Sequence, residues 1–266
     1  MKRKGFKGIL LLLSMLFALT GCSVSEATQH GMAVDTIQAE DVLLRVDFLN
    51  VGQADCALLS TNGHYMVIDG GNNGDADTIL SYLEGQGVEK LDAVVGTHPH
   101  EDHIGSLDAI INHFDVDAVY MPKIMHTSKT FEDVLDAVAN KGLKIKSPSP
   151  GDTIDFNGLE IEVLGPQREY KDFNNNSIVL KVNAGETAFL FTGDAEETAE
   201  KDILQAGYDL QADVLKVGHH GSSTSSSQAF LQAVKPKYAV ISVGVGNSYH
   251  HPEEEALQRL QSIGAE

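Results

Sequence analysis

The 266-residue chain is long enough for one large domain or two small ones, and its apolar share of 42% supplies a sizeable core. Its 38 acidic residues against 19 basic ones give a formal charge of -19, which excludes a broad basic surface of the kind that grips duplex DNA or RNA; the acidity serves solubility. Trp is absent and Cys occurs twice, so Leu, Ile and Val build the core and neither a disulfide framework nor a CxxC zinc site is available.

Lys2, Arg3, Lys4 and Lys7 precede the apolar run GILLLLSMLFAL. That run is too short to span a bilayer and has the layout of a secretory signal. Residues 1–21 are therefore expected to be a signal peptide and residues 22–41 a polar tether without periodicity, ahead of a domain over 42–266. From there short apolar runs alternate with helical patterns. VLLRVDFLNV, CALLST and HYMVIDG read as strands, with Cys56 a buried strand residue. DADTILSYLEGQG reads as a helix that stops at Gly85 and Gly87. LDAVVGT is a strand and IGSLDAIINHF a helix; DAVYMP and FEDVLDAVANKG repeat the alternation. GLEIEVLG, SIVLKVNAG and TAFLFTG form a run of antiparallel strands. EETAEKDILQAG (helix), ADVLKVG (strand), SQAFLQAV (helix), YAVISVG (strand) and PEEEALQRLQSIG (helix) complete the chain, with Pro252 in the first turn of the last helix. SSTSSS, residues 222 to 227, reads as a flexible loop. The pattern predicts an α/β (α+β) protein of two mixed sheets with helices outside, a four-layer αββα sandwich.

One loop carries chemistry on its face. THPHEDHIGS follows the strand LDAVVGT and places His98, His100, Asp102 and His103 within six positions. In an extended segment His98 and His100 point to one side, while the adjacent Asp102 and His103 project differently and can serve a second ion. Imidazole and carboxylate donors suit zinc, manganese or iron. One loop cannot close two metal sites, so the remaining donors are sought at other strand ends. Asp69 ends HYMVIDG, Asp194 ends TAFLFTGD, His219 and His220 follow ADVLKVG, and His250 and His251 follow YAVISVG. This shared placement predicts one composite site.

The ordered motifs FLNVGQADCALL, VIDGG, THPHEDHIGS, NNNSIVLKV, LFTGDAE, VLKVGHHGSS and NSYHHP resemble the metallo-β-lactamase fold superfamily, and within it the C-terminal hydrolase domain of the ComEC competence proteins. The resemblance covers nearly all of residues 42–266 and does not extend to that family's membrane channel. It implies a metallo-β-lactamase fold and two divalent ions, Zn or Mn. One ion is held by His98 and His100, the other by Asp102, His103 and His219, with Asp194 bridging; His220 is the alternative to His219. The resemblance further implies that Asp69 orients a ligand from behind and that Asp102, His220 and His251 take part in catalysis. It also shows a departure: where most of the superfamily supplies another His to the first ion, this chain has FNNNSIVL, so that Asn174, a poor zinc ligand, faces that position. Leu19-Thr20-Gly21-Cys22 resembles a bacterial lipobox, implying cleavage before Cys22, a lipid on its sulfur and an extracytoplasmic, membrane-anchored protein; loss of the four leading bases leaves a charge of -23.

The leading expectation is hydrolysis of a phosphodiester by a hydroxide shared between two ions. The resemblance points to DNA taken up from outside, and the acidity narrows this to a small or single-stranded substrate. Two rivals stand beside it: removal of phosphoryl groups such as phosphorylcholine from cell-wall polymers, and a surface lipoprotein that binds metal or DNA without turnover. The sequence identifies no protein partner.

Overall fold

In a computed structural model, residues 43–266 are described; the signal peptide, Cys22 and the tether expected above lie outside them. The first half of the domain forms a six-stranded sheet. It runs through β1 (Arg45–Phe48), β2 (Ala57–Thr61), β3 (His64–Ile68), β5 (Ala93–Val95), β7 (Val119–Tyr120) and β8 (Ile145–Lys146), in that spatial order. Two further short strands, β4 (Lys90–Leu91) and β6 (Asp115–Val116), pair in parallel beside it. The second half forms another six-stranded sheet, ordered β14 (Tyr238–Val240), β13 (Val214–Lys216), β12 (Thr187–Phe191), β11 (Val179–Ala184), β10 (Leu159–Gly165) and β9 (Thr153–Phe156).

The period-two alternation of the strands dictates the layering. Leu59, Met66, Ile68 and Val95 of the first sheet meet Phe156, Ile161, Leu180, Val182 and Phe191 of the second in one buried cluster between the sheets. The intervening Leu58, Val67 and Val94 turn the other way. They pack with Ile79 and Leu83 of α1 (Ala76–Gly85), Ile110 of α3 (Leu107–His113) and Val134 of α4 (Lys129–Asn140). On the far face of the second sheet, Val179, Leu190 and Leu215 pack with Ile203 of α5 (Glu197–Ala206), Phe230 of α6 (Gln228–Val234) and Leu260 of α7 (Glu254–Ser262). Each fully buried side chain of this kind contributes roughly 1.5–3 kcal/mol. The result is the four-layer αββα sandwich that the sequence predicts.

Four local expectations are corrected. The helix expected over 104–114 is two helices, α2 (Glu101–Ile104) and α3, so the donor loop itself winds into a turn. The strand expected over YAVISVG stops at Val240. Pro252 lies ahead of α7, whose N-cap is Glu253. The serine run is not a free loop: Ser222, Ser225 and Ser226 are buried, the amides of Ser226 and Ser227 donate to the Glu200 carboxylate, and the Arg259 guanidinium donates to the carbonyls of Ser223, Ser225 and Ser226.

The strands β3 and β5 are parallel, as are β12, β13 and β14. Their carboxyl ends therefore open on one edge of the sandwich, where open α/β sheets place their ligands.

Candidate metal centre

Each of these strand ends delivers a polar side chain into an apolar frame. Asp69 follows β3, His98 follows β5, Asp194 follows β12, and His219 and His220 follow β13. The backbone there is bent to purpose. Asp69, His219, His220 and His250 all hold φ between 48° and 62°, left-handed values that non-glycine residues adopt only under constraint. Two glycines let the loops close. A Cβ on Gly193, before Asp194, would lie 2.9 Å from the hydroxyls of Ser177 and Thr97. One on Gly105 would lie 2.2 Å from the Asn72 carbonyl carbon, so the donor loop presses directly on the turn after Asp69.

Two groups of donors converge, each with donor atoms mutually within 4.8 Å. The first is Asp102, His103, Asp194 and His220; the second is His98, His100 and Asp194. His103 Nε2 lies 3.1 Å from Asp194 Oδ1, and His220 Nε2 3.2 Å from Asp102 Oδ2. In the second group His98 Nε2 lies 3.0 Å from His100 Nδ1 and 3.6 Å from Asp194 Oδ2. Asp194 thus offers one oxygen to each group.

His220, and not His219, completes the first group. Two successive left-handed residues turn the neighbouring rings apart. His220 goes inward, its Nδ1 2.9 Å from the Ser242 carbonyl and 3.4 Å from Asp55 Oδ1. His219 goes toward the opening, with Nδ1 3.4 Å from Glu196 Oε1 and Nε2 3.7 Å from Asp194 Oδ2. His251 stands over both, its ring 5.5 Å from His219 and 6.5 Å from His220; His250 is exposed. Asn174 lines the same cleft, with Oδ1 buried and unpartnered and its amide donating to Glu196. The cleft encloses 280 Å³ and also exposes Gln53 and Tyr249.

A second layer braces the donors. Asp69 accepts from the Thr97 amide at 2.8 Å and lies 2.8 Å from His103 Nδ1. His98 Nδ1 lies 3.3 Å from the hydroxyls of Thr97 and Ser177, and the Ser177 oxygen accepts from the Asp194 amide. Beneath them Lys216 Nζ pairs with Asp55 Oδ2 at 2.6 Å, both side chains nearly fully buried. The sequence reading missed Asp55, Lys216 and Glu196. Asp55 stood inside a quoted motif, and only its place two residues before β2 could have marked it.

The electrostatics favour a cation. Burial, reinforced by His103, holds His98 well below its ordinary pKa, and burial lowers His100 as well, so both rings are neutral and free to ligate. Burial would lower His103 and His220 too, but it is outweighed by Asp194 and Asp69 at the one and by Asp55 and Asp194 at the other. His103 is held well above its usual value and His220 is pushed up to about 10. Burial would raise the Asp55 carboxyl, yet the Lys216 ammonium and His220 hold it below the usual range. Lys216 pairs with Asp55 alone, and the charge of Asp69 and Asp194 raises His103, as that of Asp55 and Asp194 raises His220, where a divalent ion would otherwise supply the positive charge. His103 Nε2 and Asp194 Oδ1 lie 3.1 Å apart but not in line for a hydrogen bond; both are buried and unpartnered, as ligand atoms aimed at a common point would be. The residues fit a divalent metal centre.

Comparison with known proteins says what the chain is similar to. The family model described as "Metallo-beta-lactamase superfamily" matches residues 49–245. The chain is 32% identical over 235 residues to ComE operon protein 3 of Bacillus subtilis (strain 168), a match covering 81% of this chain and 30% of that protein. It is 33% identical over 218 residues to Competence protein ComA of Neisseria gonorrhoeae, covering 81% and 29%. The chain therefore spans about a third of the length of these relatives. Among solved structures, the metallo-beta-lactamase fold protein YhfI from Bacillus subtilis superposes with a TM-score of 0.56 at 13% identity, covering 81% of this chain and 92% of that one.

Proposed function

The chain belongs to the metallo-beta-lactamase superfamily, and we propose that it is a metal-dependent hydrolase of phosphodiesters. The observation that carries the reading is the convergence of the two donor groups on the two oxygens of Asp194. The superfamily is generally one of hydrolases, and the resemblance to proteins named for competence supports nucleic acid as the source of the phosphodiester.

His98 and His100 would hold one divalent ion, Asp102, His103 and His220 the other, and Asp194 both. Zn and Mn are the metals whose chemistry this donor set suits. When bound, such ions act as Lewis acids that lower the pKa of water and offset charge on phosphoryl oxygens. The protein's own residues do the rest. Asp69 fixes His103 through Nδ1, and the Ser242 carbonyl with Asp55 fixes His220 through Nδ1, so each ring presents Nε2 to the centre. His219, braced by Glu196 and opening on the cleft, holds a proton at Nε2 for a departing alkoxide; His251 beside it contacts the phosphate or shares that task. The leader resembling a lipoprotein signal supports an extracytoplasmic site of action on a membrane anchor.

The test is hydrolysis of bis-p-nitrophenyl phosphate by the purified protein with Mn²⁺, Zn²⁺ or EDTA, beside His98→Ala. Metal-dependent turnover that EDTA and the variant abolish is expected. Metal binding without turnover on any phosphodiester would overturn the reading and leave a binding lipoprotein.

A further inference from the structure

The donor array has an aromatic side chain at each end. On the His220 side, Tyr249 lines the cleft with 66% of its surface exposed, its ring stacked on His251 at 5.8 Å. On the His100 side, the Phe173 ring stands 5.7 Å from His100 and 4.6 Å from His126. Phe173 is also the wall of a second, larger groove of 690 Å³, which continues away from the metal donors.

That groove is unlike the rest of the surface. In a chain with twice as many acids as bases, Lys123 and Lys171 line it, and Arg168 lines its continuation beside Lys123. The acid among these lining residues is Glu169. Exposed apolar side chains stand at both ends of the array. Of the five large ones among the described residues, Met125 lines the groove, and Val245 and Tyr249 ride on the loop that carries His251. An exposed aromatic at one end of the donors, and a half-buried one beside two lysines at the other, match the two requirements of an unpaired strand: faces for bases and positive charge for phosphates. A duplex hides its base faces and would meet the acidic remainder of the surface.

We propose that single-stranded nucleic acid crosses the centre with one base stacked on Tyr249 and a base on the other side of the reacting phosphate stacked at Phe173 and His126. Lys123 and Lys171 meet the phosphates that run on into the groove. The inference rests on the phosphodiesterase reading and supplies its substrate class and the residues that select it.

The experiment is equilibrium binding of a dye-labelled single-stranded 12-mer by fluorescence anisotropy, in Mn²⁺ with phosphorothioate linkages and again in EDTA, so that binding is read apart from hydrolysis. Tyr249→Ala and Phe173→Leu are each expected to weaken binding roughly 5- to 150-fold, the range that loss of one stacked base implies. A 12-mer of the same backbone without bases should bind as weakly as the double variant, and a duplex of equal length more weakly than the single strand. Lys123→Glu and Lys171→Glu should each lower the salt dependence by about one phosphate contact. Circular dichroism checks that each variant is folded; Phe173→Leu keeps the apolar wall, and the baseless strand tests stacking on unaltered protein. Equal affinity for the parent and baseless strands overturns the inference. So does binding to anionic phospholipid vesicles that exceeds binding to the strand and fails in the same variants. Loss of hydrolysis with strand binding intact would count against the phosphodiesterase reading alone.

Discussion

The parallel pair β3–β5 carries the same hydrogen-bonded motif at both ends, with opposite consequences. At one end Asp92 accepts from the Tyr65 amide at 3.0 Å and lies 2.8 Å from His64 Nδ1. At the other, Asp69 accepts from the Thr97 amide at 2.8 Å and lies 2.8 Å from His103 Nδ1. The partners match in kind and almost in distance. Yet at Asp92 desolvation is small enough for His64 and the amide to lower the carboxyl pKa, whereas at Asp69 burial outweighs His103 and raises it. Hydrogen-bond geometry alone does not separate a surface pair from a metal-site brace; the surrounding dielectric does.

The strongest way to break this contrast is Asp69→Asn. It removes the carboxylate that faces His103 Nδ1, and metal affinity measured by calorimetry should fall about 10–100-fold, with turnover falling alongside. Wild-type affinity in that variant would make the buried pair no more than a copy of the exposed one. Lys216→Met acts one layer deeper, in the cluster of Asp55, Asp69 and His103. It strands the Asp55 carboxylate, and urea unfolding should show a loss of about 3–5 kcal/mol. Adding Asp55→Asn should recover part of that loss, since an amide needs no counter-charge; an unchanged double variant would mean that Lys216 matters for packing instead. Asp92→Asn should have the smallest effect, under about 1 kcal/mol, because solvent screens the pair. Its sign follows from the lowered folded-state pKa. The contribution is present above the unfolded value of about 3.9 and is lost as pH falls through the folded one, so wild-type and variant melts should converge below about pH 4.

The sandwich was legible because inward and outward positions alternate cleanly along Leu58–Leu59, Met66–Val67–Ile68 and Val94–Val95. The donor loop was legible because its ligands are neighbours in the chain, and Asp69 and Asp194 because each ends an apolar strand. The choice between His219 and His220 was not legible, since it depends on two left-handed residues whose φ is set by the packing around them. Lys216 was hidden for a related reason. In ADVLKVG a lysine reads as the solvent-facing member of an edge strand, whereas β13 lies inside the sheet and its partner Asp55 comes from the other half of the domain. The serine run failed similarly: composition says mobile, while Glu200 and Arg259, remote in the chain, hold it fast.

Gly105 has one more consequence. Its missing side chain lets the donor loop lie backbone to backbone against the turn after Asp69, cross-linked by the amides of Gly70, Gly105 and Ser106 donating to the carbonyls of His103, Gly71 and Gly70. Neither segment can unfasten while the other stays shut. Amide exchange at these three positions should therefore proceed through one shared opening at a single rate-limiting free energy, making the pair of loops one kinetic unit within the larger domain.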